Sequence, residues 1–217
     1  MKSKALILIG LLGFSGARGF AQVDFWTFCK EGTAGDISAA LVDNAKVDDR
    51  NHRGMTPLMI AAEFNPNPGV IVVLLGVRAR LEDRDLNGAT ALMWATMNPN
   101  AAAIIPIMLD SKAETRARDR FGRTPLMWSA IHCPSPGVVV ALLDAGSEIN
   151  AADGEGRTAL MLAAKYNNGE VVAALLQGKA DRARRDAQGR DAFDYARENK
   201  IQLPLSILAE LRDAGGK

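Results

Sequence analysis

A four-residue segment recurs along the chain at steps of 34 residues, and this period constrains the fold more than any other feature. The segment reads Thr-Pro-Leu-Met or Thr-Ala-Leu-Met and begins at Thr56, Thr90, Thr124 and Thr158. A glycine lies two residues before each threonine, and Gly189 continues the glycine series after a step of 33. Such a period is typical of repeat proteins, in which each unit is stable only when it stacks on its neighbours.

Each unit is predicted to form two short helices. The threonine begins the first helix, because its hydroxyl caps free amide groups while the following proline has no amide to leave unpaired. The first helix must end before proline-bearing turns such as 65–68 and 133–136, since a residue before proline is displaced from the α region. Asn67 and Ser135 are predicted to cap the second helix. Its apolar run, 70–75 in the first full unit, requires burial against other units.

The unit that begins at Asp119 resembles the ankyrin repeat. It reads Asp119-x-x-Gly122-x-Thr124-Pro125-Leu126 and ends on paired leucines, a glycine and Ile-Asn-Ala. The resemblance implies an all-α fold, an ankyrin-repeat solenoid of stacked helix-turn-helix units with hairpin-like loops at one edge. The expected organisation is a signal peptide at 1–21 and an ankyrin-repeat domain at 22–217, with an N-terminal cap at 24–48, four full repeats at about 49–184 and a C-terminal cap at 185–212.

Two further positions follow the period. The family places a glycine with positive φ after the second helix, and a residue with a side chain costs about 1 kcal/mol there. The equivalent positions here are Asn44, Arg78, Lys112, Gly146 and Lys179. A periodic aspartate series opens the hairpins and is predicted to cap the loops rather than to act as acid or base. These aspartates are Asp85, Asp119, Asp153 and Asp186.

The first residues predict export. Lys2 and Lys4 precede an apolar run at 5–14, which has the length of a signal-peptide core and is short for a membrane span. Cleavage is expected after Ala21, with a cut before Phe20 as the alternative. The mature protein is therefore expected in the periplasm or outside the cell, with no membrane insertion after cleavage.

The charge balance bears on the partner. The chain has 26 basic and 25 acidic residues, and removal of 1–21 takes away three basic residues, which leaves 23 against 25 and a net charge of −2. This balance argues against a nucleic acid or an anionic membrane as the partner.

Cys29 and Cys133 are predicted not to pair. Three stacking steps separate them, or about 30 Å, whereas Cα atoms in a disulfide lie within about 7 Å. Cys29 is expected to be a buried apolar residue. Cys133 lies in a turn, which leaves open a free thiol or a Cys133-linked dimer of a protein that is otherwise expected to be monomeric.

The function expected from the resemblance is non-enzymatic: binding of another protein through the concave face and loop tips, as an inhibitor, protector or scaffold. No catalytic, cofactor-binding or metal-binding residue is predicted, and Trp94 and Trp128 are interpreted as members of a core ladder. The expected partner-binding residues vary between units, and the neighbouring tip residues Arg53 and Ala89 belong to the same surface. They are Met55, Met97, Phe121, Arg123, Ile131, Arg157, Tyr166 and Arg190.

Two other classes of function stay open at this point. One is a redox-protective or metal-dependent envelope protein that uses Cys133 and His132, although zinc would need further ligands. The other is a structural protein of the cell envelope, held at the membrane by a partner.

Overall fold

The computed structural model describes residues 25–212, and all regular secondary structure in this part of the chain is α-helical. The twelve helices of the described residues follow one another as six pairs. They are α1 (25–31), α2 (Ala34–Val42), α3 (Pro57–Phe64), α4 (Pro68–Gly76), α5 (Ala91–Ala95), α6 (Ala101–Asp110), α7 (Pro125–His132), α8 (Pro136–Asp144), α9 (Ala159–Tyr166), α10 (Gly169–Gln177), α11 (Ala192–Ala196) and α12 (Leu205–Arg212). The predicted signal peptide lies outside the described residues.

The helices form two layers. The first helices α3, α5, α7, α9 and α11 pack on one another in chain order, and so do the second helices from α2 to α12. Each first helix also packs on the second helix of its own unit, so one apolar core runs through the whole stack. This arrangement confirms the predicted all-α solenoid.

The helix starts largely agree with their sequence signals. Thr56, Thr124 and Thr158 each accept a hydrogen bond from the amide of the methionine three residues on. The prediction is wrong for Thr90, whose side chain makes no capping bond. Asn67 caps α4 as predicted, by accepting from the Gly69 amide at 2.9 Å. The prediction for Ser135 is wrong, because its side chain makes no capping bond.

The backbone outside the helices also follows the predictions. Positive φ occurs at Asn44, Arg78, Lys112 and Lys179, with values from 65° to 69°, and at Gly146 with 88°. The periodic aspartates cap the hairpins: Asp119 Oδ1, for example, accepts hydrogen bonds from the amides of Phe121 and Arg123, both at 2.9 Å.

Neighbouring hairpins are joined by main-chain hydrogen bonds. The amide of Arg120 donates to the Asn87 carbonyl at 2.8 Å, and that of Gly154 donates to the Phe121 carbonyl at 2.9 Å. The approach is so close that a Cβ added to Gly122, whose φ is +78°, would lie 3.0 Å from the Gly154 nitrogen. The hairpins therefore stack in a fixed register and present their tips in a row.

Arginines tie the same hairpins together. Arg50 Nη1 donates to the Gly54 carbonyl of its own hairpin at 2.9 Å and to the Arg84 carbonyl at 2.6 Å. Arg118 repeats the arrangement with Gly122 at 2.8 Å and Ala152 at 2.7 Å. These side chains stabilise the stack, because a hydrogen bond from a charged donor is stronger than one between two neutral groups.

Asparagines connect the first helices in the same way. The Nδ2 of Asn98 donates to the carbonyls of Ala62 and Asn65 in the preceding unit, at 3.0 and 2.9 Å. Asn65, Asn167 and Asn199 make equivalent bonds, and all four residues are buried. This asparagine ladder satisfies carbonyl groups at helix ends that have no partner within the helix.

Cys133 occupies the ladder position of its unit, nine residues after Thr124, as Asn65 follows Thr56 and Asn167 follows Thr158. Its sulfur accepts a hydrogen bond from the Ser135 amide. A thiol lacks the amide NH2 group with which asparagine donates to carbonyls of the preceding unit. Cys133→Asn is therefore expected to raise the free energy of unfolding by about 1 kcal/mol. Urea unfolding measures the change, with Cys133→Ser as control; a destabilised asparagine variant would contradict the assignment.

Candidate functional site

The hairpin tips and the first helices together form one face of the solenoid, which we call the concave face. Of the predicted contact residues, Met97, Phe121 and Tyr166 are exposed there, and Ile131 is partly exposed. The prediction for Met55 is wrong, because its side chain is fully buried in the core, and Ala89 is buried as well. Both occupy a repeat position that holds arginine in the later units, and we call such a set of equivalent positions a column. A short or apolar side chain in this column turns inward.

The three predicted arginines are bound to buried aspartates. The Nε of Arg123 donates to Asp119 Oδ2 at 2.8 Å, and Arg157 makes the same bond to Asp153 at 2.8 Å. The third pair, Arg190 with Asp186, has a distance of 3.0 Å. Each pair links residues four apart within one hairpin, and we call it an Asp–Arg clamp. The arginines are only partly exposed, so they order the face as well as lining it.

Aromatic side chains complete two of the clamps. The indole Nε1 of Trp128 donates to Asp119 Oδ2 at 3.0 Å, and the guanidinium of Arg123 lies 5.1 Å from the Trp128 ring centre. In the last clamp the Tyr195 hydroxyl donates to Asp186 Oδ2 at 2.6 Å. Trp94 and Trp128 are buried and pack edge to face at 5.2 Å, which confirms the core-ladder interpretation.

The last Asp–Arg clamp, between Asp186 and Arg190, makes the free energy of unfolding depend on pH. Burial alone would raise the pKa of Asp186, but hydrogen bonds from Tyr195 and Arg190 and from two backbone amides lower it to about 2. A lowered pKa in the folded state gives stability that is present above the ordinary value of 3.8 and is lost as the pH falls toward 2. The advantage of wild type over Asp186→Asn in free energy of unfolding should therefore shrink over this interval. Urea unfolding at several pH values tests this, and an advantage that is the same at all pH values would contradict it.

The first two units differ from the later ones. They have Met55 and Ala89 where the later units have the clamp arginine. Glu63 in α3 aligns with Met97 and Ile131, and the sequence prediction missed it although its column is variable. The pKa of Glu63 is raised overall, mainly because the carboxyl group is buried. Arg53 opposes this rise, Asp85 adds to it, and Lys30 opposes it with the smallest effect.

An open pocket of about 490 Å³ lies at the N-terminal end of the concave face. It is lined by the aromatic side chains of Trp26 and Phe64, by Ile60 and by the polar residues Lys30 and His52, with Thr27 and Asn51 beside them. Lys30 Nζ lies 5.4 Å from the centre of the Phe64 ring. Trp26 and Lys30 precede the first full repeat, so the period of 34 did not indicate them.

The Cys133 and His132 alternative has little structural basis. Cys133 is buried, which raises the pKa of its thiol, so the exposed, reactive thiol that a disulfide-linked dimer needs is not found at this position. The pKa of His132 is lowered, first by burial and then by Arg123. Within residues 25–212 no three His, Cys, Asp or Glu side chains are grouped so that they could hold a metal ion.

A family model described as ankyrin repeats (3 copies) matches residues 58–153 and 132–212, well over half of the chain. The chain belongs to the ankyrin-repeat family. Ankyrin repeats are generally protein–protein interaction modules and are typically not enzymes. No curated protein matches this ankyrin chain in sequence. None of the ankyrin helices in the described part of the chain is long and apolar enough to cross a membrane.

Proposed function

We propose that this ankyrin protein is exported from the cytoplasm and binds a protein partner through the concave face and the hairpin tips. The observation that supports this best is the distribution of exposed apolar side chains. Phe64, Met97, Phe121 and Tyr166 are exposed on the concave face. The exposed large apolar side chains of the second helices are the valines Val42, Val72 and Val140 and one leucine, Leu205. Aromatic residues and methionine are enriched in protein interfaces, while valine is under-represented among the residues that dominate binding.

Cations surround these aromatic rings. The guanidinium groups of Arg120 and Arg123 lie 4.6 and 4.8 Å from the centre of the Phe121 ring, and Lys165 Nζ lies 5.5 Å from that of Tyr166. Such contacts hold a ring in place in the free protein, which lowers the entropy lost when a partner covers it. An aromatic residue held beside an arginine has the composition of a binding hot spot.

Site-specific photo-crosslinking in the native cells tests the proposal. A photoreactive phenylalanine analogue is placed at Phe121 on the concave face or, as a matched control, at Val140 on α8, since the two side chains are 48% and 47% exposed. We expect a discrete crosslinked protein from position 121 only. Equal products from both positions, or none from position 121, would refute binding through this face.

A pair of double variants then measures the energetic contribution of the face to the crosslinked partner. Phe121→Ala with Tyr166→Ala should weaken binding strongly, and Val72→Ala with Val140→Ala should not. Arg123 and Arg157 are poor choices for this purpose, because their loss would leave a buried aspartate unpaired and unfold part of the domain.

Export is tested on the same cells. The protein should be found in the periplasmic or extracellular fraction with Gln22 as its first residue, as cleavage after Ala21 predicts. Retention of the intact chain in the cytoplasm would contradict export. A pool that stays with the membrane fraction would instead favour the structural envelope protein.

A further inference from the structure

The hairpin at 85–89 has the aspartate of the Asp–Arg clamp but not its arginine. Ala89 stands where the next three units have Arg123, Arg157 and Arg190, yet its hairpin has the same backbone. The amide of Ala89 donates to Asp85 Oδ1 at 2.9 Å, just as the amide of Arg123 donates to Asp119 Oδ1 at 2.9 Å. The aspartate is therefore held in the clamp geometry without its arginine.

The groups that the arginine would have joined are left without partners. Asp85 Oδ2 and the indole Nε1 of Trp94 are both buried and make no hydrogen bond, and the residues are only 7% and 5% exposed. In the next unit the equivalent carboxylate oxygen, Asp119 Oδ2, accepts hydrogen bonds from both Trp128 Nε1 and Arg123 Nε. Buried polar atoms without partners are costly to stability and frequently mark functional positions.

A second carboxylate lies beside this gap. Glu63 Oε2 is buried and also lacks a hydrogen-bond partner, and Asp85 raises the pKa of Glu63. The equivalent positions in the next three units hold Met97, Ile131 and Lys165. The Asp85 carboxylate, which lacks its clamp arginine, thus has a second carboxylate beside it, supplied by the preceding unit.

Two cations, Arg53 and Lys30, lower the pKa of Glu63, but neither donates a hydrogen bond to Glu63 Oε2 or to Asp85 Oδ2. Arg53 Nη1 lies 3.9 Å from Glu63 Oε2, too far for a hydrogen bond, and its guanidinium lies 5.0 Å from the centre of the Trp94 ring. The Arg53 side chain is 43% exposed and comes from the tip of the preceding hairpin. It can therefore move aside without disturbing the core.

We propose that Glu63, Asp85 and the face of Trp94 form a receptor for an arginine side chain of the protein partner. The inference rests on the proposed function and specifies the chemistry of the partner. The incoming guanidinium takes the position that Arg123 has in the next unit, displaces Arg53, and donates to Asp85 and Glu63 while it stacks on the indole. Arginine fits better than lysine, because its planar fork can bond two carboxylates and stack on an aromatic ring at the same time.

Indole NMR signals of the mature chain report on this receptor directly. The probe is N-acetyl-arginine amide, and N-acetyl-citrulline amide is the uncharged control of the same shape, both added at constant ionic strength. We expect the arginine probe to shift the Trp94 indole signal in a saturable way, and the citrulline probe to leave it in place. The Trp26 signal serves as the internal reference, since the Trp128 ring packs on Trp94 at 5.2 Å and can respond with it.

Three variants separate binding from folding. Ala89→Arg places an arginine of the chain in the receptor, so it should abolish the response to the probe while raising the melting temperature. Glu63→Gln should weaken binding of the arginine probe by about tenfold, because it removes one of the two carboxylates. It should not lower the melting temperature, since the carboxylate that it removes is buried and lacks a hydrogen bond. Glu155→Gln, a matched change at an exposed hairpin tip, should leave the probe response as in wild type.

The proposal is overturned if the Trp94 signal does not move, if citrulline moves it equally, or if the response survives in Ala89→Arg. Those results would leave partner capture through Phe121 untouched, because crosslinking tests it independently. A positive probe response without any crosslinked partner would refute the proposed function, and with it a protein partner as the source of the arginine, while the arginine-binding site itself would stand.

Discussion

Asp119→Ala is expected to lower the free energy of unfolding by about 3–5 kcal/mol, the loss that follows when one partner of a buried ion pair is removed. The Asp119 carboxylate is fully buried and accepts four hydrogen bonds, from the amides of Phe121 and Arg123, from Arg123 Nε and from Trp128 Nε1. The substitution leaves a guanidinium and an indole N–H without their partner. Urea unfolding followed by circular dichroism measures the loss.

The chain provides its own control one unit earlier. Asp85→Ala removes the same two bonds to backbone amides, at 2.8 and 2.9 Å, but Asp85 Oδ2 has no partner to lose. Its removal also relieves repulsion with Glu63, so the expected loss is only about 1 kcal/mol. The difference between the two variants isolates the clamp. Equal losses would mean that the aspartates stabilise their hairpins through backbone caps alone.

Asn98→Ala is expected to cost about 2–4 kcal/mol, because three hydrogen bonds of a buried side chain disappear together. The amide group of Asn98 donates to the carbonyls of Ala62 and Asn65 and accepts from the Asn100 amide at 2.8 Å. Alanine leaves the backbone groups in place and takes away their partner. The midpoint of thermal unfolding should therefore fall well below that of wild type.

Asn100→Ala is the matched control for the asparagine ladder. It removes an amide two residues away whose one side-chain bond, to the Pro66 carbonyl at 2.8 Å, is exposed to solvent. Water can replace that bond, so we expect a loss of about 1 kcal/mol or less. If both variants were destabilised to the same extent, burial of the ladder would not explain its contribution.

Much of the fold could be predicted because its determinants are local. The threonine starts, the positive φ at Lys112 and the aspartate caps depend on a few residues in sequence, and the period shows that each recurs. The clamps were missed, because Arg123, Arg157 and Arg190 were assigned to partner binding, although the spacing of Asp and Arg four residues apart in three hairpins could have indicated them. The sequence does not reveal which atoms of neighbouring units each side chain contacts.

The errors at the site have that origin. Met55 and Arg123 share a column, and variation within a column indicates tolerance rather than exposure, so a methionine there can turn into the core. Glu63 lies near Asp85 and Trp94 only because two units stack on each other, and no local sequence pattern predicts this proximity. Cys133 resembled a turn residue, because the ladder position that it occupies is recognised only by the bonds that asparagines make there to the preceding unit.

The arginine ties between hairpins bear on how such a protein can change length in evolution. Arg50 and Arg118 hold the following hairpin by a main-chain oxygen, and every residue type has one. After duplication or deletion of a 34-residue unit, the arginine could therefore donate to the carbonyl of whichever hairpin follows, with no compensating substitution at the junction. Gene duplication can then lengthen the array first, and selection can diversify the recognition surface of each new copy afterwards.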